Sequence, residues 1–98
     1  MTCGILIQKL KKMILKDGCQ IIIQGSSSGV GGAIAQQMPR YKKIYLDTCA
    51  EAIGITGENF TPYTMRTCLN AAMHVKGLAQ YFGKKGYKKV FLINQDYS

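Results

Sequence analysis

Cys19-Gln20-Ile21-Ile22-Ile23-Gln24-Gly25-Ser26-Ser27-Ser28-Gly29-Val30-Gly31 is the stretch that decides the fold. Its three consecutive isoleucines form the short unbroken apolar run expected of a strand covered on both faces. Gly25 to Gly29 breaks that run with turn residues, and Val30, Ile34 and Met38 then recur at helical spacing until Pro39, which is expected to stop the helix. Lys43-Ile44-Tyr45-Leu46-Asp47 reads as the next strand. Strand, turn, helix, strand is the unit of an α/β sheet with parallel strands.

Working outward from that unit, Cys3, Leu6, Leu10 and Met13, flanked by Ile7 and Ile14, share one face of a preceding helix. Asp17-Gly18 supplies its left-handed stop. On the other side, Thr48 to Cys68 reads as a long loop, with Tyr63 to Thr67 as a possible short extended piece. A loop of that length usually carries function. Asn70 is placed to cap a third helix with Ala71, Val75, Leu78 and Phe82 on one face and Gly83 and Gly86 at its end; Lys89 to Asn94 reads as the third strand. The expected architecture is an α/β, Rossmann-like or flavodoxin-like half-lobe: about three parallel strands and three main helices, forming a single partial lobe over residues 1–98. With strands in sequential order, right-handed crossovers put the helices on one face. Alternate residues of Ile21–Ile23, Ile44–Leu46 and Val90–Ile93 then meet water on the other, which predicts self-association through that face or an incomplete chain.

Ninety-eight residues suffice for one small domain, and 47% hydrophobic against 18% charged residues is globular rather than disordered composition. No run approaches the roughly 18 apolar residues of a membrane span. The opening seven residues carry neither the basic start nor the cleavage site of a secretory signal. A net charge of +8 favours anionic partners in general, yet the lysines fall in small clusters at helix ends and strand starts, so they read as solvated faces and no nucleic-acid partner is expected. Cys3, Cys19, Cys49 and Cys68 lie 16, 30 and 19 positions apart, which fits no metal-ligand spacing, and His74 is the single histidine. No metal or cofactor is expected.

The serine-glycine turn opens a helix, where unpaired backbone N–H groups and hydroxyls make a seat for an anion. Either phosphate or carboxylate suits it, and Ser28 merely capping the helix is the plainer alternative. Gly25-x-x-x-Gly29-x-Gly31 also resembles the cofactor loop of short-chain dehydrogenases. Asp47 at the next strand end stands where that family holds a ribose, and Tyr81 with Lys85 has the spacing of its catalytic pair. An NAD(P)-dependent oxidoreductase is therefore the alternative reading, although Tyr81 follows the loop too soon for that fold.

A second resemblance covers nearly the whole chain. Asp17 to Ile23, Ser28-Gly29-Val30, Thr56-Gly57-Glu58-Asn59-Phe60, Tyr63 to Thr67, and Lys85-Gly86-Tyr87-Lys88-Lys89-Val90 through Asn94-Gln95-Asp96-Tyr97-Ser98 resemble, in order, the amino-terminal lobe of type 1 periplasmic binding proteins, in particular the branched-chain amino-acid receptors of ABC importers. The resemblance implies two α/β lobes closing on a ligand, of which these residues match part of one. It implies a non-catalytic fragment of an extracytoplasmic, Leu/Ile/Val-type receptor that works with an ABC permease. It places the ligand carboxylate on Ser28, with Ser27 either a further contact or a turn former. Backbone groups of Cys49 and Ala50 would hold the ligand. Glu51 departs from the small hydroxyl residue usual there, and either accepts an ammonium or is a solvated loop residue. Tyr97 is a candidate aromatic contact, and Arg66 is expected to tie the loop to the lobe.

Overall fold

A computed structural model, which describes residues 3–93, runs α1 (Cys3–Leu15), β1 (Ile21–Gln24), α2 (Ser28–Tyr41), β2 (Ile44–Asp47), a 3-10 turn (Ile53–Ile55), β3 (Thr64–Arg66) and α3 (Ala71–Lys85). The three strands are parallel in the order β1-β2-β3, with Ile22 beside Tyr45 and Tyr45 beside Thr64. Parallel neighbours need a crossover between them, which α2 supplies between β1 and β2 and the long 48–63 connection supplies between β2 and β3.

Helix α1 stops as its sequence dictates: Gly18 takes φ 69° and the Cys19 N–H returns to the Met13 carbonyl at 3.0 Å. Helix α2 does not stop at Pro39, as its sequence suggests, but continues to Tyr41 and ends on Lys42 in the left-handed region. A proline in the last turn forfeits one N–H bond, and the fully buried Met38 beside it holds that turn on the core. One hydrophobic core results, built from Leu10 and Ile14 of α1, Ile22, Ile34, Ala35, Met38 and Tyr45 of the strand-helix-strand unit, and Ala50 and Ile55 of the loop.

Both helices of that core lie on one face of the sheet. The other face is bare: Ile21 and Ile23, with 65% of Ile23 exposed, continue into Ile44 and Met65 as an apolar surface. The isoleucine run is thus covered on one side, not two. That follows from the sequential strand order, because α1 and α2 stand on the same side of it.

The third strand is not where the sequence suggests. Lys89 to Ile93 pairs with nothing among the described residues, and Asn94 lies outside them. Thr64–Arg66 takes the third place because both its flanks bond to β2: Tyr45 N–H to the Tyr63 carbonyl at 2.8 Å and Thr67 N–H to the Asp47 carbonyl at 2.9 Å. Helix α3 has the ends its sequence announces, Asn70 accepting from Met73 N–H at 3.0 Å and Gly86 at φ 69°. It buries no residue, however, so Val75 and Leu78 stay exposed and the molecule extends to 56 Å.

Candidate functional site

The carboxyl ends of β1 and β2 lie side by side, and the chain leaves each through a short turn. After β1, Gln24 projects on the same face as Ile22 and organises the serine turn. In the orientation its hydrogen bonds require, its amide oxygen accepts from the N–H groups of Ser26 at 2.9 Å and Ser27 at 3.1 Å, and its nitrogen donates to Tyr45 Oη at 2.8 Å. Two of the turn's backbone donors are therefore spent inside the protein. Ser27 occupies the N-cap position of α2 and yet makes no side-chain cap bond. The first-turn amides of Ser28, Gly29 and Val30 thus keep no acceptor within the helix and none from its cap. Asn70, by contrast, does cap α3.

Ser28 Oγ accepts from Ala52 N–H at 3.2 Å. With its oxygen so engaged, the hydroxyl keeps its hydrogen as a donor. Ser28 shares an open cleft of about 450 Å³ with Ser26, Cys49, Glu51, Ala52 and Ala71. A second cleft of about 490 Å³ lies on its other side, where Gly29, Gly32 and Ala35 of α2 face Ile55, Glu58 and Asn59. Helix α2 comes this close to the sheet and loop because residue 31 is glycine: a Cβ there would stand 2.9 Å from both Ala50 Cβ and Tyr45 Oη.

After β2, Asp47 is fully buried and turns back on its own loop, its Oδ1 accepting from Cys49 N–H at 3.2 Å and Ala50 N–H at 2.7 Å. Arg66 grips the same loop by its carbonyls, Nη1 donating to Ala50 O at 2.8 Å and Nη2 to Ala52 O at 2.6 Å. Burial, first, and then the charge of Asp47 push the Tyr45 hydroxyl well above the ordinary phenol range, against a partial offset from Arg66. Glu51 points outward, its Oε1 3.5 Å from His74 Nε2, while its carbonyl accepts from Ala71 N–H at 3.0 Å. The start of α3 is thereby fastened over one rim of the cleft.

The structure therefore brings Ser28, Cys49 and Glu51 to one cleft. Ala50 is buried behind it, with its N–H given to Asp47 and its carbonyl to Arg66. Ser27 lines neither cleft, and its carbonyl receives Gly31 N–H at 2.8 Å. Tyr97 lies outside the described residues. Sequence reasoning missed Gln24, Ala52 and the inward role of Asp47. Gln24 carried a signal, being a polar residue in the register of the covered face; Ala52, acting through its backbone, carried none. No group of three or more His, Cys, Asp or Glu able to hold a metal occurs among the described residues, and Cys19, Cys49 and Cys68 are free thiols.

A model of the periplasmic binding protein family matches residues 4–98. The chain belongs to that family. Among its relatives, the Leu/Ile/Val-binding protein homolog 4 of Brucella abortus (strain 2308) and that of Brucella suis biovar 1 (strain 1330) are each 38% identical over 89% of this chain and 23% of their own length. Among solved periplasmic binding proteins, the leucine-, isoleucine-, valine-, threonine- and alanine-binding protein of Brucella ovis, in its closed conformation, is 35% identical and superposes with a TM-score of 0.81 over 88% of this chain and 24% of that one. A periplasmic binding protein of Burkholderia mallei, 25% identical, gives 0.80 over 87% and 23%. The chain thus spans about a quarter of the length of the periplasmic binding proteins it matches. Family membership overturns the dehydrogenase alternative, and the geometry shows why: Asp47 is buried and spent on its own loop, so it is closed to a ribose. Lys85 stacks at 5.8 Å from the Tyr81 ring on the exposed α3.

Proposed function

We propose that this chain is part of one ligand-binding lobe of an extracytoplasmic solute receptor, and that its cleft seats the carboxylate of a branched-chain-type amino acid or a related small polar solute. The reading makes it a binding element, not a catalyst, whose complete receptor works in the periplasm and delivers solute to an ABC permease. One observation carries it: the uncapped amino end of α2 stands beside a Ser28 hydroxyl whose oxygen already accepts from Ala52 N–H, so donors converge there at the positive end of the helix, which favours an anion. Cys49 and Glu51 form the opposite rim. On this reading Glu51 meets the ligand's ammonium in competition with His74, while Ser27 and Ala50 shape the site from behind. Tyr97 remains a proposed aromatic contact of the closed receptor. The same relatives support the branched-chain class, since the curated ones are named as homologs of a Leu/Ile/Val-binding protein and the Brucella ovis protein is named for binding leucine, isoleucine, valine, threonine and alanine.

Charge-assisted hydrogen bonds contribute about 1.5–3 kcal/mol each, so two or three of them in an open half-site leave millimolar affinity at best after the cost of association. The test is an amide-resolved NMR titration of the 98-residue chain with L-leucine, leucinamide and NADPH. Leucine is expected to move the Ser28, Gly29, Val30 and Ala52 amides, and leucinamide, which lacks the carboxylate, to leave them still. NADPH moving those amides where leucine does not would overturn the assignment.

A further inference from the structure

Two charged residues at the back of the cleft are satisfied in an unusual way. Asp47 Oδ2 and Arg66 Nε are buried without a hydrogen-bond partner, and Asp47 Oδ2 stands 3.9 Å from Arg66 Nη2, beyond hydrogen-bonding distance. A pair selected for its own attraction would close that gap, because a buried carboxylate and guanidinium recover their desolvation cost only through direct, well-aligned bonds. Here the bonding capacity goes elsewhere. Asp47 spends its other oxygen on the N–H groups of residues 49 and 50, and Arg66 spends both terminal nitrogens on the carbonyls of residues 50 and 52.

We infer that Asp47 and Arg66 are positioning residues for the cleft, an N–H grip and a carbonyl grip that fix the loop 49–52 from both polarities. Among the described residues the one hydrogen bond from loop 49–52 to the serine turn is Ala52 N–H to Ser28 Oγ, so the two grips set the aim of the hydroxyl that meets the anion. The 49–50 and 50–51 peptides are thereby constrained, the 51–52 peptide is held by Ala71 N–H on the Glu51 carbonyl and by Ser28 Oγ, and neither charged side chain lines the cleft. The arrangement also explains why the unmet atoms persist: a direct Asp47–Arg66 bond would draw Arg66 off Ala52 and release the loop. This inference rests on the proposed anion seat for its functional meaning, and on the hydrogen bonds of Asp47 and Arg66 alone for the grips.

The experiment compares the 98-residue chain with Asp47→Asn, which keeps an acceptor and removes the charge, and Arg66→Lys, which keeps the charge and removes the fork. Two readouts are taken: amide hydrogen exchange without ligand, and leucine-induced shifts at Ser28, Gly29 and Val30. Losing the charge assistance on those bonds predicts about tenfold faster exchange at Cys49 and Ala50 in Asp47→Asn, with the amides of Ile22, Ile34 and Met38 unchanged. Arg66→Lys should loosen Ala52 in the same local way, and both variants should weaken the leucine response several-fold. Uniform loosening of loop and core together, or unchanged exchange at residues 49–52, would overturn the inference. So would loosened loops with an undiminished leucine response. A wild-type chain silent to leucine would instead sink the functional reading, and the exchange arm would still judge the grips. Should Asp47→Asn fail to fold, Ser28→Ala reads the same linkage from the other end: Ala52 exchange should rise while Cys49 and Ala50 stay protected, and protection lost at all three would overturn the inference.

Discussion

Gly31→Ala is expected to destabilise the chain while Gly32→Ala, one residue on in the same helix, stabilises it. A Cβ on residue 31 would stand 2.9 Å from Ala50 Cβ and 2.9 Å from Tyr45 Oη, with the Gln24 amide at 3.3 Å. Carbon atoms pack at about 3.5–4.0 Å, so the overlap with Ala50 Cβ is more than half an ångström, the approach to Tyr45 Oη is also too close, and both residues are themselves fully buried. Such overpacking costs about 1–3 kcal/mol, offset by up to about 1 kcal/mol from alanine's better helix propensity. At residue 32 nothing lies within 4 Å of the added atom, so only the propensity gain remains. Urea unfolding followed by circular dichroism should move the Gly31→Ala midpoint down by roughly 1 M and the Gly32→Ala midpoint up by less. A Gly31→Ala midpoint that rises as far as that of Gly32→Ala would show that the helix is not seated against Ala50 and Tyr45, and with it the whole placement of the cleft would fail.

Asn70→Ala removes the one side-chain cap on α3 and should cost about 1 kcal/mol of helix stability, read as lost helical ellipticity and fast exchange at Met73. Because α3 buries nothing, the urea midpoint of the core should not follow. Tyr45, with its proton held more tightly in the folded state than in the unfolded one, contributes its full stability below about pH 10, and that stability falls as pH rises further, because the unfolded tyrosine ionises first. Tyr45→Phe should flatten that part of the alkaline decline, and an identical slope in both proteins would contradict the burial. The bare sheet face predicts concentration-dependent association of the 98-residue chain by light scattering. Ile23→Lys should shift it toward monomer without lowering the urea midpoint, and unchanged association would place the contact elsewhere.

Local signals carried most of what the sequence revealed. Gly18, Asn70 and Gly86 announced their helix ends through backbone requirements that no tertiary context is needed to read, and the spacing of Leu10 with Ile14 and of Ile34 with Met38 announced the packed faces. Failures came where the answer depends on a distant neighbour. Val90–Ile93 is as strand-like as Ile21–Ile23, but a parallel strand exists only against another, and in the described residues it has none. Thr64–Arg66 looks weak in isolation and is a strand because β2 offers it an edge. The Ala71, Val75, Leu78 and Phe82 stripe correctly marked a helix, yet the helix buries none of its residues, since periodicity reports which residues share a face and not what that face meets.

Asp47 shows the same limit at the site itself. An acid at the end of the second strand after a glycine-rich turn can serve a ribose only if the chain beyond it leaves the carboxylate open. Here the next three residues fold back over it, and the carboxylate becomes the floor of the loop rather than its lip. What decides between the two is not the spacing of Gly25, Gly31 and Asp47, which is shared, but whether something at a distance pulls the loop inward. Arg66, on a strand of three residues that the sequence barely hints at, does that by taking the carbonyls of Ala50 and Ala52. One guanidinium, nineteen positions from the acid it stands beside, thus holds the loop over that acid, beside the cleft of Ser28 and the uncapped end of α2 that we propose as the ligand's seat.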